Sequence, residues 1–357
     1  TDVKILMLHL NQLLKLNIDH PIIQAPMAGV QDSALLIAVA QAGGLGSLPC
    51  AMLATEKIRE EVNLIRNNTS RPFNLNFFCH KNPQNSEQKQ QAWLETLSPY
   101  FDEFAIDQSV VSSATARLPF NQDIADAIEE LKPEIVSFHF GLPNDDLLAQ
   151  VKSSGTKIFS SATTLEEALW LEEKGVDAII AQGIEAGGHR GIFLNDDLGS
   201  QIPGIELLSH LVKETNLPII AAGGIASSKQ VRIAFELGAS AVQVGTSFLR
   251  CPEATTSEIH RAALASTAAS DTVITNLFTG RPARAIRNRV INDLGAIRQD
   301  LPDFPGAVNA LLPLRSHSQK LGSGDFSAMW CGSNPSGCKA VPAADIIAEL
   351  VSGITDH

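Results

Sequence analysis

The stretch Pro218–Thr246, PIIAAGGIASSKQVRIAFELGASAVQVGT, contains one complete structural unit. It opens on a continuous apolar run and breaks at Gly223-Gly224. It then passes through an amphipathic segment, Ser227–Leu237, and re-enters an apolar run at Ala241–Thr246. Unbroken apolar runs mark strands covered on both faces, so two of them flanking a helix read as a βαβ unit with parallel strands. The same alternation runs back through the chain. Pro21–Met27, Leu45–Cys50, Phe73–Phe78, Ile135–Phe140, Lys157–Ala162 and Ala178–Gly183 are further strand candidates. Ser33–Ala42, Thr55–Asn67 and Leu165–Lys174 are further helix candidates. Ser33, Thr55, Thr164 and Ser227 stand near the helix starts, where a hydroxyl can cap the first turn. Eight such units predict an α/β fold, a closed (β/α)8 TIM barrel; an open doubly wound sheet usually has fewer repeats.

Composition agrees and removes several function classes. The chain has 357 residues, 44% hydrophobic and 18% charged, which suits a large buried core and rules out disorder. Aromatic residues are only 5%, unlike a sandwich rich in Tyr and Trp. The net charge of −12 repels phosphate backbones, so nucleic acid is not an expected partner. No apolar run approaches the ~20 residues of a membrane span, and TDVKILMLHL lacks the regions of a signal peptide. Five cysteines without paired CxxC spacing read as reduced thiols, with a cytoplasmic location and no metal site expected.

Two stretches depart from the repeat. Residues 81–130 lengthen the third crossover and include helix candidates and the apolar fragment Ser109–Val111. Residues 251–325 follow the eighth strand and read as a small inserted helical domain covering the catalytic face. The barrel then comprises 1–250 and 326–357, closed by the helix Ala343–Val351.

Barrel chemistry sits at the C-terminal strand ends. Here these carry Met27, Cys50, Asn76, His139, Ser160-Ser161, Gln182, Gly223-Gly224 and Gly245-Thr246. No cluster of acids suggests magnesium, and no strand-end Lys suggests a Schiff base. Uncharged polar ends suit a bound organic cofactor. Gly223-Gly224 opens a helix after the seventh strand, and Gln243-Val244-Gly245-Thr246 ends the eighth. Both loops suit a phosphate held by main-chain N–H groups, or else are tight turns needing Gly for geometry only. No GxGxxG follows a strand, so a Rossmann dinucleotide site is not supported.

The loop after the sixth strand, Gln182-Gly-Ile-Glu-Ala-Gly-Gly-His-Arg-Gly191, surrounds one His with glycines. His189 can exchange a proton near neutral pH, or is a surface histidine of a loop. His139 faces either the same pocket or a satisfied core position. His80 reads as an ordinary loop histidine. Arg281, Arg284, Arg287 and Arg289 read as a solvated helix face with ion pairs rather than an anion funnel. Met27 is core packing or a rest for a flat ring.

PIIQAPMAGV (21–30), NLNFF (74–78), His139, AQGIEAGGHRG (181–191), PIIAAGGIAS (218–227), AVQVGTSFL (241–249), TGRPAR and SAMWCGS (327–333) together resemble the nitronate monooxygenases, formerly called 2-nitropropane dioxygenases. The likeness covers nearly the whole chain and is nearest the class I type, in which both the strand-four and loop-six histidines occur. The resemblance implies non-covalent FMN in contact with Met27, Asn76, Gln182, Gly187, Gly188, Gly223, Gly224, Gln243, Val244, Gly245 and Thr246. It implies His189 as the catalytic histidine, with His139 as second candidate. It further implies oxidation of alkyl nitronates, propionate 3-nitronate being the favoured class I substrate. O2 is the oxidant, a flavin semiquinone the intermediate, and a carbonyl compound with nitrite or nitrate the products. Related barrels are NAD(P)H:quinone or enoyl-thioester reductases, which is the alternative reading. A non-catalytic flavin- or phosphate-binding protein is the third. Oligomeric state, monomer or homodimer, stays open.

Overall fold

The computed structural model describes residues 16–83, 86–112 and 118–355; the opening TDVKILMLHL, read above for a leader, lies outside them. The chain-order strands are β1 (Ile22–Gln24), β2 (Gly46–Pro49), β3 (Phe73–Phe78), β4 (Ile135–His139), β5 (Lys157–Ala162), β6 (Ala178–Gln182), the short β7 (Gly188–His189), β8 (Ile219–Ala222) and β9 (Ala241–Val244). All but β7 form one parallel sheet in the order β1-β9-β8-β6-β5-β4-β3-β2. Its two ends meet at a bridge between Ile23 and Leu45, where Leu45 N donates to Ile22 O and Gln24 N to Leu45 O, both at 2.9 Å. The sheet is therefore a ring, as the eight repeats predict.

Successive strand residues point to opposite faces. Ile22, Leu48, Leu75, Val136, Ile158, Ile179, Ile219 and Val242 pack outward against the helices. Ile23, Leu45, Ile135, Phe159, Ile180, Ile220 and Ala241 form a separate cluster inside the ring. Both faces are dry, which is why the strands carry no alternation in the sequence.

The helices between strands are α1 (Ser33–Gln41), α2 (Thr55–Asn68), α3 (Glu87–Glu103), α4 (Gln122–Leu131), α5 (Asp145–Ser153), α6 (Leu165–Glu173), α7 (Gly204–Glu214) and α8 (Ser228–Glu236). Thr164 caps α6, accepting from Glu167 N at 3.2 Å. The other three hydroxyls do not cap. Asp32 accepts from Ala34 N ahead of α1, α2 starts after Ala54, and Ser227 turns its hydroxyl to Gln230 instead.

The segment after β9 is not all helical. It contains α9 (Glu258–Ala265), β10 (Thr272–Thr275), β11 (Ala283–Ile286), α10 (Arg289–Leu294) and α11 (Val308–Lys320). β10 and β11 form an antiparallel hairpin, and β7 adds to its open edge with Ala283 opposite His189 and Arg284 opposite Gly188. The physical reason is legible afterwards: Thr-Val-Ile-Thr is β-branched, and Thr279-Gly-Arg-Pro282 is turn chemistry between two short runs. This layer has its own core, in which Trp93, Leu97 and Phe101 of α3 meet Leu277, Val290, Leu311, Leu314 and Phe326. The lengthened third crossover thus packs with the segment after β9, and Trp93 Nε1 donates to Ala307 O at 3.0 Å. The final helix α12 (Ala343–Thr355) returns to α8 and α1. Among the described residues no helix is long and apolar enough to cross a membrane.

Candidate active site

A cavity of about 380 Å3 lies at the C-terminal end of the barrel, roofed by the inserted layer. Its volume is in the range of small-molecule and cofactor sites. Met27, Asn76, His139, Gln182, Gly187, Gly188, His189, Gly223, Gly224, Gln243, Val244, Gly245 and Thr246 all line it. They come from six barrel strands and one loop, and the ring brings them together. Among the described residues no group of His, Cys, Asp and Glu could hold a metal ion.

His139 is fixed by two partners. Its Nε2 lies 3.1 Å from the His189 carbonyl, which can only accept, so this nitrogen carries the proton. Its Nδ1 then accepts from the Ser161 hydroxyl at 3.0 Å. Burial lowers its pKa from 6.5 to about 3, outweighing the hydrogen bond to His189. The ring is a neutral strut, not a proton acceptor with a spare lone pair.

His189 sits on the two-residue strand β7, and its Nε2 is 2.9 Å from the Thr279 hydroxyl. Phe304 and Trp330 ring its imidazole at centroid distances of 5.4 and 5.2 Å. The loop behind it is held tightly. Gln182 Nε2 donates to His189 O at 3.0 Å, and Gly191 N donates to Gln182 Oε1 at 2.7 Å. Arg190 is fully buried and donates to Gln201 Oε1, Gly183 O and Gln182 O at 2.9, 2.8 and 2.8 Å. Burial lowers its pKa to about 10, so it stays cationic at neutral pH. A Cβ at Gly187 would stand 2.6 Å from Gly332 N, so only glycine lets the loop approach that chain.

The arginines divide into two pairs, and for one of them the solvated-face reading is corrected. Arg284, on β11, donates to Ile184 O through Nε and Nη2 at 3.0 and 2.9 Å. Arg281 lies 4.1 Å over the Phe140 ring and donates to Ile192 O. Both are sheltered by the hairpin and tie down the histidine loop. Arg287 pairs with Asp271 and Arg289 with Glu103 at the surface. His80 stands in the loop after β3, as read from the sequence, and is buried there, its ring edge-on to Phe304 at 4.8 Å.

Opposite the histidines, Gly223 and Gly224 have φ of +106° and +72°. A Cβ on Gly223 would stand 2.9 Å from Ala186 N, so the turn needs glycine for conformation and for close approach. The Thr246 hydroxyl accepts from Gly332 N at 2.9 Å, which ties strand nine's end to the segment after the insertion. Gln243 on the same wall has a buried Oε1 with no hydrogen-bond partner among the described residues. A buried polar atom without a partner is costly, so this one is free to meet a ligand group.

Sequence reasoning placed an inserted segment over the face but did not name the residues with which it lines the cavity. His260, Phe278, Thr279, Arg315 and Trp330 also line the cavity. His260 Nε2 lies 3.1 Å from Trp330 O, and burial lowers its pKa to about 4. No strand-end rule points to these positions; only TGRPAR, which begins at Thr279, and SAMWCGS, which contains Trp330, carried a signal.

A family model described as nitronate monooxygenase matches residues 11–353. The chain is 40% identical to the nitronate monooxygenase of Pseudomonas aeruginosa, over 94% of this chain and 96% of that protein. It is 42% identical to the one from Paraburkholderia phytofirmans, over 94% and 92% respectively. Among solved structures, nitroalkane oxidase from Streptomyces ansochromogenes superposes with a TM-score of 0.87 at 31% identity, covering 97% of this chain and 98% of that one. FabK from Thermotoga maritima, at 24% identity and TM-score 0.69 over 98% and 96%, shares the fold.

Proposed function

The chain belongs to the nitronate monooxygenase family, and from that premise we propose that it is an FMN-dependent enzyme oxidising alkyl nitronates of the propionate 3-nitronate type with O2, to a carbonyl compound plus nitrite or nitrate. One observation carries the reading. The partnerless Oε1 of Gln243 and the left-handed Gly223-Gly224 turn share one cavity with His189.

The residues fit a flavin mononucleotide better than a dinucleotide. Main-chain groups of Gly223-Gly224 and Gly245-Thr246 would hold a single phosphate, with the N-terminal end of α8 behind the first pair. Gln243, Gln182 and Asn76 would meet polar ring or ribityl groups, and Met27, Gly187 and Gly188 would line the ring. When bound, the flavin takes up the electrons that the nitronate gives and passes them to O2.

The chain's own residues prepare the substrate. A nitronate arrives without its carbon-bound proton, so His189 needs only to orient and hold it. For a neutral nitroalkane, His189 would have to accept that proton, and the Thr279 hydroxyl fixes the direction of its Nε2. His139 keeps its Nε2–H on the His189 carbonyl and fixes the main chain from which the base projects. The rings of Phe78, Phe278 and Trp330 line the cavity and reduce water around the reacting carbon.

Mass spectrometry of the ligand released from purified protein, with oxygen uptake on adding propionate 3-nitronate, tests the reading. FMN and prompt oxygen consumption are the expected results. Released FAD would refute the single-phosphate cradle. Anaerobic bleaching by NADH without nitronate turnover would move the chain to the flavin reductases, and bound flavin with no turnover of either donor to the binding proteins.

A further inference from the structure

Two side chains of opposite charge, Glu167 on α6 and Arg190 beside His189, are both 0% exposed. They do not meet directly. Arg190 ends its donors on Gln201 Oε1, Gly183 O and Gln182 O, and Glu167 accepts from N–H groups and one hydroxyl. A short relay joins them. Arg190 Nε donates to Gln201 Oε1 at 2.9 Å, Gln201 Nε2 to Thr163 Oγ1 at 3.0 Å, and the Thr163 hydroxyl to Glu167 Oε2 at 2.7 Å. A guanidinium can only donate and a carboxylate only accept, so every link points from the cation to the anion. Links that share one direction polarise and strengthen one another.

The same carboxylate holds the far side of the histidine loop. Its Oε1 accepts from Phe193 N at 2.6 Å and Leu194 N at 3.3 Å. On the near side the Arg190 fork holds Gly183 O and Gln182 O, and Gln182 Nε2 holds His189 O. His189 is thus bracketed by main chain tied to one buried cation and one buried anion. Burial lowers the Arg190 pKa and Arg284 adds to the effect, whereas Glu185 and Glu167 oppose it. None of Glu167, Thr163, Gln201 and Arg190 lines the cavity. Replacing such buried charges by apolar groups is often neutral or stabilising, so stability alone does not account for them.

We propose that Glu167 is a positioning residue for His189. Through Thr163, Gln201 and Arg190 on one side, and the Phe193 and Leu194 amides on the other, it sets the direction in which the His189 ring enters the cavity. The proposal rests on the nitronate reading above only for its kinetic assay. Glu167 acts wholly through the loop.

Thr163→Val cuts the relay without removing either charge, Thr163→Ser keeps the hydroxyl, and Glu167→Gln removes the negative end. Each is made on wild type and on His189→Asn, and oxygen uptake is followed with an alkyl nitronate and its parent nitroalkane. For whichever compound wild type turns over faster, Thr163→Val should lower kcat by about three- to tenfold, the loss expected of one hydrogen bond. That loss should not exceed the loss in His189→Asn, and Thr163→Ser should recover most of it. On His189→Asn the same change should cost less than about twofold, because the ring it positions is gone. Hydrogen exchange read by mass spectrometry should speed up across residues 189–194 in Glu167→Gln and, to a smaller extent, in Thr163→Val. Equal fractional losses on the two backgrounds would overturn the proposal, as would unchanged kinetics in Thr163→Val or unchanged exchange in both variants. If Glu167→Gln does not fold, Thr163→Val decides, since it leaves the carboxylate on the Phe193 and Leu194 amides. If wild type oxidises neither compound, the function reading fails, and exchange still tests the bracket by itself.

Discussion

Acidifying the protein from pH 7 to pH 5 should destabilise it, and His139 should account for a defined share. Burial holds the His139 pKa at about 3, against an ordinary value of 6.5. The sign follows from which state takes the proton. Below pH 6.5 the unfolded chain protonates this imidazole and the folded chain does not, so stability falls as pH drops and is lost progressively down to about pH 3. The slope approaches about 1.4 kcal/mol per pH unit, so at pH 5 one such histidine removes at most about 2 kcal/mol. His260, held at about 4 by burial, adds a comparable loss over the same interval. The carboxylates with lowered pKa values, Glu61, Glu103 and Asp300 among them, have ordinary values of 4.5 or below and act mainly at lower pH. The window from pH 6.5 to 5 therefore isolates the histidines. Denaturant unfolding of wild type and His139→Gln at pH 7, 6, 5.5 and 5 gives the comparison, since Gln keeps a donor for the His189 carbonyl but cannot titrate. The variant should be less stable at pH 7 and lose about half of the pH slope. Equal slopes in the two proteins would refute the neutral-strut account of His139.

His189→Asn should lower oxidation of neutral nitroalkanes by about 10²–10⁴-fold and of the matching nitronates much less, read by oxygen uptake on both forms of one compound; equal losses would reassign His189 to anion binding. Gly224→Val places a Cβ 3.3 Å from Glu185 Cβ at a φ of +72°, a strain of about 1–2 kcal/mol at the phosphate turn. Flavin content should fall more than Tm, and full flavin occupancy would count against the cradle. Arg284→Met removes both donors to Ile184 O, so kcat/KM should drop by about tenfold or more with flavin retained, whereas unchanged kinetics would show that the loop holds without the hairpin.

The division of the arginines shows where reading residues in order stops. Arg281, Arg284, Arg287 and Arg289 stand within nine positions, and their spacing alone suggested one solvated face. Their strand and helix assignments separate them, because β7 adds to the hairpin edge and shelters the first two. Arg315 sits in a stretch with no motif and lines the cavity only because α11 is laid across the barrel mouth.

The barrel itself was legible from the chain. Both faces of a parallel strand are buried, so β-branched runs repeat without alternation, and eight of them separated by amphipathic helices fix the topology locally. The wall of the site was legible for the same reason, since strand ends such as Asn76, Gln182 and Gln243 must converge once the ring closes. The roof was not. β10 and β11 are four residues each, too short for their period to stand out from a helical reading. The partners of α3 lie some two hundred residues away, and α11 projects Arg315 by the angle at which it packs on α3. The sequence determined the elements whose burial is set by their nearest neighbours along the repeat. Tertiary structure decided what depends on long-range docking: the neutral state of His139 under the His189 carbonyl, the anchoring of the glycine loop, and the packing of the inserted layer over the cavity.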